Sequence, residues 1–164
     1  MDGNHNLTPI MKFLWNLKWG PKLSRLLPRA ASVVVARKDN LILSQRLKGH
    51  LMGCWQGPGG HVDPYELPLD AARREVSEEM GLTLPACAFK PLGAKLILFP
   101  RPYLMYGVFL HLKPNQWPQN TEPDKHTKWM QFPTVTGPLS RGEYLLVPGL
   151  AHFIRKWKEL YARP

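Results

Sequence analysis

The sequence predicts an α/β fold, a mixed central sheet layered between helices, and three observations carry that prediction. Extended segments rich in β-branched or alternating apolar residues stand on both sides of a strongly amphipathic helix. A second amphipathic helix lies near the end of the chain, so apolar stripes are available for both faces of a sheet. The chain has 164 residues with 44% hydrophobic content, the size of one ordinary core, and it shows no internal repeat or low-complexity stretch.

Taken in order, Ser32 to Arg37 is a β-branched run, Lys38-Asp39-Asn40 is turn-like, and Leu41 to Arg46 alternates imperfectly, which together predict a hairpin. Pro58-Gly59-Gly60 predicts a turn whose glycines let backbone approach a ligand and offer a carbonyl to a metal. Leu69, Ala72, Val76 and Met80 follow the spacing of a core-facing helical stripe. With Pro68 suited to the first turn, Asp70 at its acidic end and Gly81 placed for a left-handed cap, the helix is expected over Leu67 to Met80. Phe89 to Phe99 and Tyr103 to Leu112 predict two strands around Pro100-Arg101-Pro102, and Lys128 to Phe132 a shorter one. Leu150, Phe153, Ile154, Trp157 and Tyr161 recur at helical spacing after Pro148-Gly149 and predict a terminal core helix. With the first helix on the opposite face, the architecture is an α/β/α sandwich.

Residues 1–29 precede this pattern and divide the chain into a basic, amphipathic extension and a domain over 30–164. The extension holds Lys12, Lys18, Lys22, Arg25 and Arg29 against the single acid Asp2, interspersed with Leu14, Trp15, Leu17 and Trp19. A packed or flexible extension is favoured over a mitochondrial leader or a membrane-surface helix, because Pro21 interrupts the pattern and serine is scarce. The stretch is too short and too charged to span a bilayer. Cys54 and Cys87 form no CxxC, which argues against a zinc site or disulfide framework and fits a reducing, cytoplasmic setting. The six histidines, His5, His50, His61, His111, His126 and His152, form no ligand spacing such as HExxH.

The chemistry is concentrated in Gly60 to Leu82, GHVDPYELPLDAARREVSEEMGL. Residues three and four apart share a helix face, so Glu75, Glu78 and Glu79 are expected to point the same way. The apolar stripe fixes the helix and aims these acids. Arg74, four residues before Glu78, neutralises only one of them, and a hard cation bound through oxygen, Mg²⁺ or Mn²⁺, is the natural remedy.

The same residues resemble the signature of the Nudix hydrolases: glycine, five residues, glutamate, seven residues, then R-E-aliphatic-x-E-E-x-G-aliphatic, with every fixed position met. The resemblance implies an α/β/α sandwich and hydrolysis of a diphosphate linked to another group, with water activated by metal. It implies Glu75, Glu78 and Glu79 as metal ligands, Glu75 also as general base, and Arg74 with Glu66 holding the constellation in place. A carbonyl of Gly59 or Gly60 adds a ligand. Relatives often complete the metal site with a later acid, and the loop Asn120 to Lys125 offers Glu122 first and Asp124 second. A polar surface turn explains that loop equally well. Many relatives form homodimers.

Substrate signals are thinner. The run Trp55-Gln56-Gly57-Pro58-Gly59-Gly60 resembles MutT-like members that cleave nucleoside triphosphates, in which the residue matching Gln56 faces the base; its amide both donates and accepts. Glu122 to Trp129 looks like the corresponding loop of nucleotide-pool cleaning members. Tyr103, Tyr106, Trp129 and Phe132 are candidates to stack on a base, with core packing the blander reading, and Glu143 is a candidate for reading an amino or imino edge. His61 beside Gly60 is a loop residue or a phosphate contact. The favoured reaction turns a nucleoside triphosphate, a modified or oxidised deoxynucleotide among the options, into monophosphate and pyrophosphate. The formal net charge of +10 keeps an RNA 5′-end or cap pyrophosphohydrolase as the rival, although no RNA-binding motif is visible. An ADP-ribose or dinucleotide pyrophosphatase and a non-catalytic scaffold are the remaining alternatives.

Overall fold

The computed structural model describes residues 9–98, 101–133 and 145–161. Its elements are α1 (Pro9–Asn16), α2 (Pro21–Leu26), β1 (Arg29–Arg37), β2 (Asn40–Gln45), β3 (Trp55–Gln56) and β4 (Gly59–His61). They continue with α3 (Pro68–Met80), a short 3₁₀ turn at Ala86–Ala88, β5 (Phe89–Ile97), β6 (Tyr103–His111), β7 (Met130–Pro133) and α4 (Leu150–Tyr161).

Strand β1 is the axis of the fold. Its near-continuous apolar run is buried on both faces: Ala31, Val33 and Val35 join one core, Val34 and Ala36 the other. It pairs antiparallel with β2 around the predicted hairpin, Val35 opposite Ile42 and Arg37 opposite Asn40, with Lys38 taking the left-handed turn position at φ 53°. On its other edge β1 runs parallel to β6, from Arg29 opposite Leu104 to Ala36 opposite His111. Strand β5 lies antiparallel on β6. The main path is therefore β3-β2-β1-β6-β5, a mixed sheet as expected, with β7 pairing β2 and β4 pairing the first half of β1.

Helix α3 covers the Val33/Val35 face with Ala71, Ala72, Val76 and Met80, all fully buried. It has Pro68 in its first turn and ends where Gly81, at φ 66°, donates its N–H to the Ser77 carbonyl at 3.1 Å. Helix α4 covers the other face through Leu150, Phe153 and Trp157. A Cβ on Gly107 of β6 would lie under 3.0 Å from the Phe153 ring, so the bare glycine is what lets α4 sit close to the sheet.

One expectation changes at this level. Pro58-Gly59-Gly60 is not simply a turn, because Gly59–His61 forms strand β4, antiparallel to β1 with Ala31 opposite Gly60. Three residues are too few for a strand period to show. The segment before β1 folds as two helices broken ahead of Pro21, and both of its tryptophans in the described stretch are buried. Trp15 enters the α3 core edge-on to Tyr106, with ring centroids 5.3 Å apart. Among the described residues no helix is long and apolar enough to cross a membrane.

Candidate active site

The site forms where α3 packs against β4. Val33 N–H bonds the Pro58 carbonyl at 2.9 Å and Val62 N–H bonds the Arg29 carbonyl at 3.0 Å. Antiparallel pairs alternate between bonded and unbonded, so Gly60 bonds to Ala31 while the amide groups of Gly59 turn away from β1. A backbone hydrogen bond from Gly59 reaches the Glu79 carboxylate. That leaves the Gly59 carbonyl, and not that of Gly60, as the backbone oxygen open to a ligand. A Cβ on Gly60 would fall under 3.0 Å from the Glu75 carboxylate, so the glycine seats Glu75 on the strand.

Arg74 ties the constellation together. Its Nε donates to Glu66 Oε1 at 3.0 Å and its Nη2 to Glu66 Oε2 at 3.2 Å, a bidentate pair. Its Nη1 donates to Glu75 Oε1 at 2.7 Å and Glu78 Oε2 at 3.2 Å, and its Nη2 also to the His61 carbonyl at 2.9 Å. The hydrogen bond to Glu66 is the main reason its pKa is raised above that of an ordinary arginine. Glu66 in turn accepts the Asp63 N–H at 2.9 Å, which fixes the loop leading into α3. The same loop is held from the other side by Arg29, only 1% exposed, whose Nη2 donates to the carbonyls of Asp63 at 3.0 Å and Glu66 at 3.4 Å. Its guanidinium lies 5.2 Å from the centre of the Trp19 ring, and Tyr65 N–H bonds the Trp19 carbonyl at 2.9 Å.

The three helical acids do not share one environment. Glu78 lies at the exposed rim, while Glu75 and Glu79 are buried. Burial pushes the Glu75 carboxyl up, against the lowering effect of Arg74. Glu79 is pushed to about 8, first by desolvation and then by the charges of Glu75 and Glu122. One of its oxygens, Oε2, has no hydrogen-bond partner. Glu79, Glu122 and His126 each bring one ligand atom within 4.8 Å of the others. A buried carboxylate oxygen without a partner, near other acids, fits a divalent cation.

The loop bearing Glu122 is docked on α3. Thr121 Oγ1 donates to the Glu78 carbonyl, Trp129 Nε1 to the Glu79 carbonyl at 3.2 Å, and Asn120 Nδ2 to the His126 carbonyl at 2.9 Å. Lys125 Nζ pairs with Glu122 Oε1 at 2.6 Å. His126 is 1% exposed, and burial lowers its pKa.

Across β4 from these acids lies a cavity of about 620 Å³, lined by Arg46, His50, Gln56, Gly59, Gly60, His61, Arg101 and Tyr103 among others. Arg46 Nη1 donates to Gln56 Oε1 at 2.7 Å. Because arginine only donates, this bond orients the amide and leaves the Gln56 NH₂ with hydrogen-bonding capacity to spare.

A profile of the NUDIX domain family matches residues 26–153. The chain belongs to the Nudix family. This Nudix domain is accordingly a hydrolase acting on phosphorus anhydrides, and it is 39% identical over 82 residues to an 8-oxo-dGTP diphosphatase from Proteus vulgaris. That match covers 49% of this chain and 71% of the relative. It is also 36% identical over 93 residues to an m7GpppN-mRNA hydrolase from Bos taurus, covering 54% of this chain but 30% of that protein. Among solved structures, the MutT NUDIX hydrolase from Burkholderia pseudomallei aligns with TM-score 0.61 at 21% identity, covering 81% of this chain and 97% of that one. The NUDIX domain of Shewanella oneidensis NrtR, complexed with ADP ribose, aligns with TM-score 0.68 at 16% identity, covering 93% and 98%. At these identities the structural likeness shows the fold.

The structure brings Glu66, Arg74, Glu75, Glu78, Glu79, Gly59 and Glu122 together. Gln56 and His61 line the cavity. Two expected substrate contacts stand elsewhere. Trp129 is 4% exposed and packs in the α3 core, its N–H spent on the Glu79 carbonyl, and Trp55 packs edge-on to Phe132 at 4.7 Å on the α4 side of the sheet. Tyr106 and Phe132 are likewise core, whereas Tyr103 borders the cavity. Glu143 lies outside the described residues. Sequence reasoning passed over Arg46 and His126; for the latter, the four-residue step from Glu122 was the available signal.

Proposed function

We propose that this Nudix domain is a divalent-cation-dependent pyrophosphohydrolase that cleaves a nucleoside triphosphate, with a modified or oxidised deoxynucleotide as the favoured class, to monophosphate and pyrophosphate. The observation that carries the reading is the partnerless, buried Glu79 oxygen facing Glu122, one strand away from a cavity floored by arginine and glutamine. Glu75, Glu78, Glu79, Glu122 and the Gly59 carbonyl would hold Mg²⁺ or Mn²⁺. When bound there, such a cation neutralises phosphate charge and lowers the pKa of a coordinated water.

The protein's own residues do the rest. Arg74 holds Glu75 Oε1, leaving Oε2 to take a proton as general base, and it anchors Glu66 so that the loop and helix keep their spacing. Arg46 and Arg101 supply positive charge where phosphates enter the cavity. The spare NH₂ of Gln56 matches an acceptor on the base edge, such as a carbonyl oxygen or ring nitrogen. The likeness to an 8-oxo-dGTP diphosphatase supports a free nucleotide as substrate.

A second reading, an RNA 5′-end pyrophosphohydrolase, is favoured by the net charge of +10 and by the likeness to the bovine mRNA hydrolase. One assay separates the two. Pyrophosphate and phosphate release is measured from ordinary, oxidised and methylated nucleoside triphosphates, ADP-ribose and 5′-triphosphate RNA, with and without Mg²⁺. Pyrophosphate from one nucleoside triphosphate, with kcat/KM about tenfold or more above the rest, a difference of about 1.4 kcal/mol, supports the first reading. Turnover of RNA alone, weakening steeply with salt, supports the second.

A further inference from the structure

The reading above accounts for the oxygen ligands but leaves His126 unexplained. Its ring is 1% exposed, and Nε2 has no hydrogen-bond partner. The other ring nitrogen, Nδ1, faces the Thr127 carbonyl at 3.4 Å, which favours the tautomer with the proton on Nδ1 and a bare lone pair on Nε2. A buried, unpaired acceptor is costly to keep without a partner. The ring is also well fixed: Asn120 holds its carbonyl, Arg46 forms a bridge to its backbone, and the Trp129 ring packs 5.1 Å away.

One ligand atom each from Glu79, Glu122 and His126 lies within 4.8 Å of the others. Two ligands about 2.1 Å from one ion stand about 3 to 4 Å apart, so a small closure would bring the three onto one cation. Lys125 occupies Glu122 Oε1, which leaves Oε2 for the purpose. The Glu79 oxygen that lacks a partner is likewise Oε2. Two nine-tenths-buried residues, each with one partnerless side-chain atom, therefore belong to the same cluster.

We propose that Glu79, Glu122 and His126 form a mixed oxygen and nitrogen cation site, in which the His126 imidazole makes the protein favour Mn²⁺ over Mg²⁺. Mg²⁺ holds to oxygen ligands and its own waters, whereas an imidazole nitrogen is an ordinary ligand for the later divalent metals. The proposal rests on the reading that Glu79 holds a divalent cation, and its test separates the two.

Mn²⁺ binding is followed by loss of the free-ion EPR signal, with Mg²⁺ competition, in the wild type, His126→Asn and Glu79→Gln. Pulsed EPR of the wild-type Mn²⁺ complex reads nitrogen coupling directly and needs no variant to fold. The expected result is ¹⁴N coupling from the wild type, Mn²⁺ at least about tenfold tighter than Mg²⁺, and loss of that preference in His126→Asn with a melting curve like the wild type. Mn²⁺ binding that requires Glu79 but shows no nitrogen coupling overturns the His126 assignment while leaving the proposed function standing. Wild-type protein that binds no Mn²⁺ overturns both.

Discussion

Replacing Glu79 by glutamine should stabilise the metal-free protein while removing its activity. The carboxyl's pKa is raised from 4.5 to about 8, chiefly because burial disfavours its charge. The sign follows from linkage: a raised carboxyl leaves the fold unaffected below 4.5, destabilises it progressively above that value, and reaches its full effect once pH passes about 8. At about 1.4 kcal/mol per pH unit, the wild type loses about 3 kcal/mol by pH 7 and about 5 kcal/mol at full ionisation. Glutamine is isosteric and uncharged, accepts the Gly59 hydrogen bond, and offers an NH₂ toward Glu75 and Glu122. In EDTA, Glu79→Gln should therefore melt about 6–12 °C above wild type at pH 7, the gap closing near pH 4.5 and widening to pH 9. Cation at a hundred times its Kd should return about 2.7 kcal/mol to the wild type and little to the variant. A differential scanning fluorimetry series over pH, with and without Mg²⁺, measures all of this. Equal melting temperatures from pH 5 to 9 in EDTA would refute the claim that burying the ionised Glu79 carboxylate costs the metal-free fold stability.

Three further substitutions test separate parts of the argument. Gly60→Ala places a methyl against the movable end of Glu75, so kcat should fall about 10²-fold while the melting temperature changes little, as steady-state kinetics and a thermal melt will show. Gly107→Ala pushes into the Phe153 ring, far from the acids; it should cost about 1–3 kcal/mol in urea titration and leave the kcat of the folded fraction intact. Arg74→Lys keeps the charge but loses the fork that joins Glu66, Glu75 and the His61 carbonyl, so kcat/KM should drop about 10-fold or more with Mg²⁺ saturating.

Long periodic elements were legible because many residues vote for each. Helix α3 shows its core stripe, its proline start and its glycine stop in one line of text, and the hairpin shows two runs around Lys38-Asp39-Asn40. Strands β3 and β4 have two and three residues, too short for any period, and exist because β1 and β2 offer free edges. The different exposures of Glu78 and Glu79 also escaped, since helical spacing says which residues are neighbours but not which neighbour lies under another loop. His126 reaches Glu79 only because Trp129 and Thr121 dock that loop on the α3 backbone. Trp129 illustrates the opposite error: an aromatic near a nucleotide site invites a stacking role, yet its N–H is committed to the helix.

The Arg29 clasp ties the residues before β1 to the loop before α3. Family likeness starts at residue 26, as though everything earlier were ornament. Yet Arg29 grips the carbonyls of Asp63 and Glu66 while lying against Trp19, and Tyr65 N–H bonds the Trp19 carbonyl, so the segment before β1 and the loop leading into α3 are held as one unit. Replacing residues 1–28 would keep every acid of α3 and remove the Trp19 contacts of Arg29 and Tyr65. A substitution at Trp19 thus has a physical path to the loop that carries Glu66, through contacts that lie outside the acidic motif.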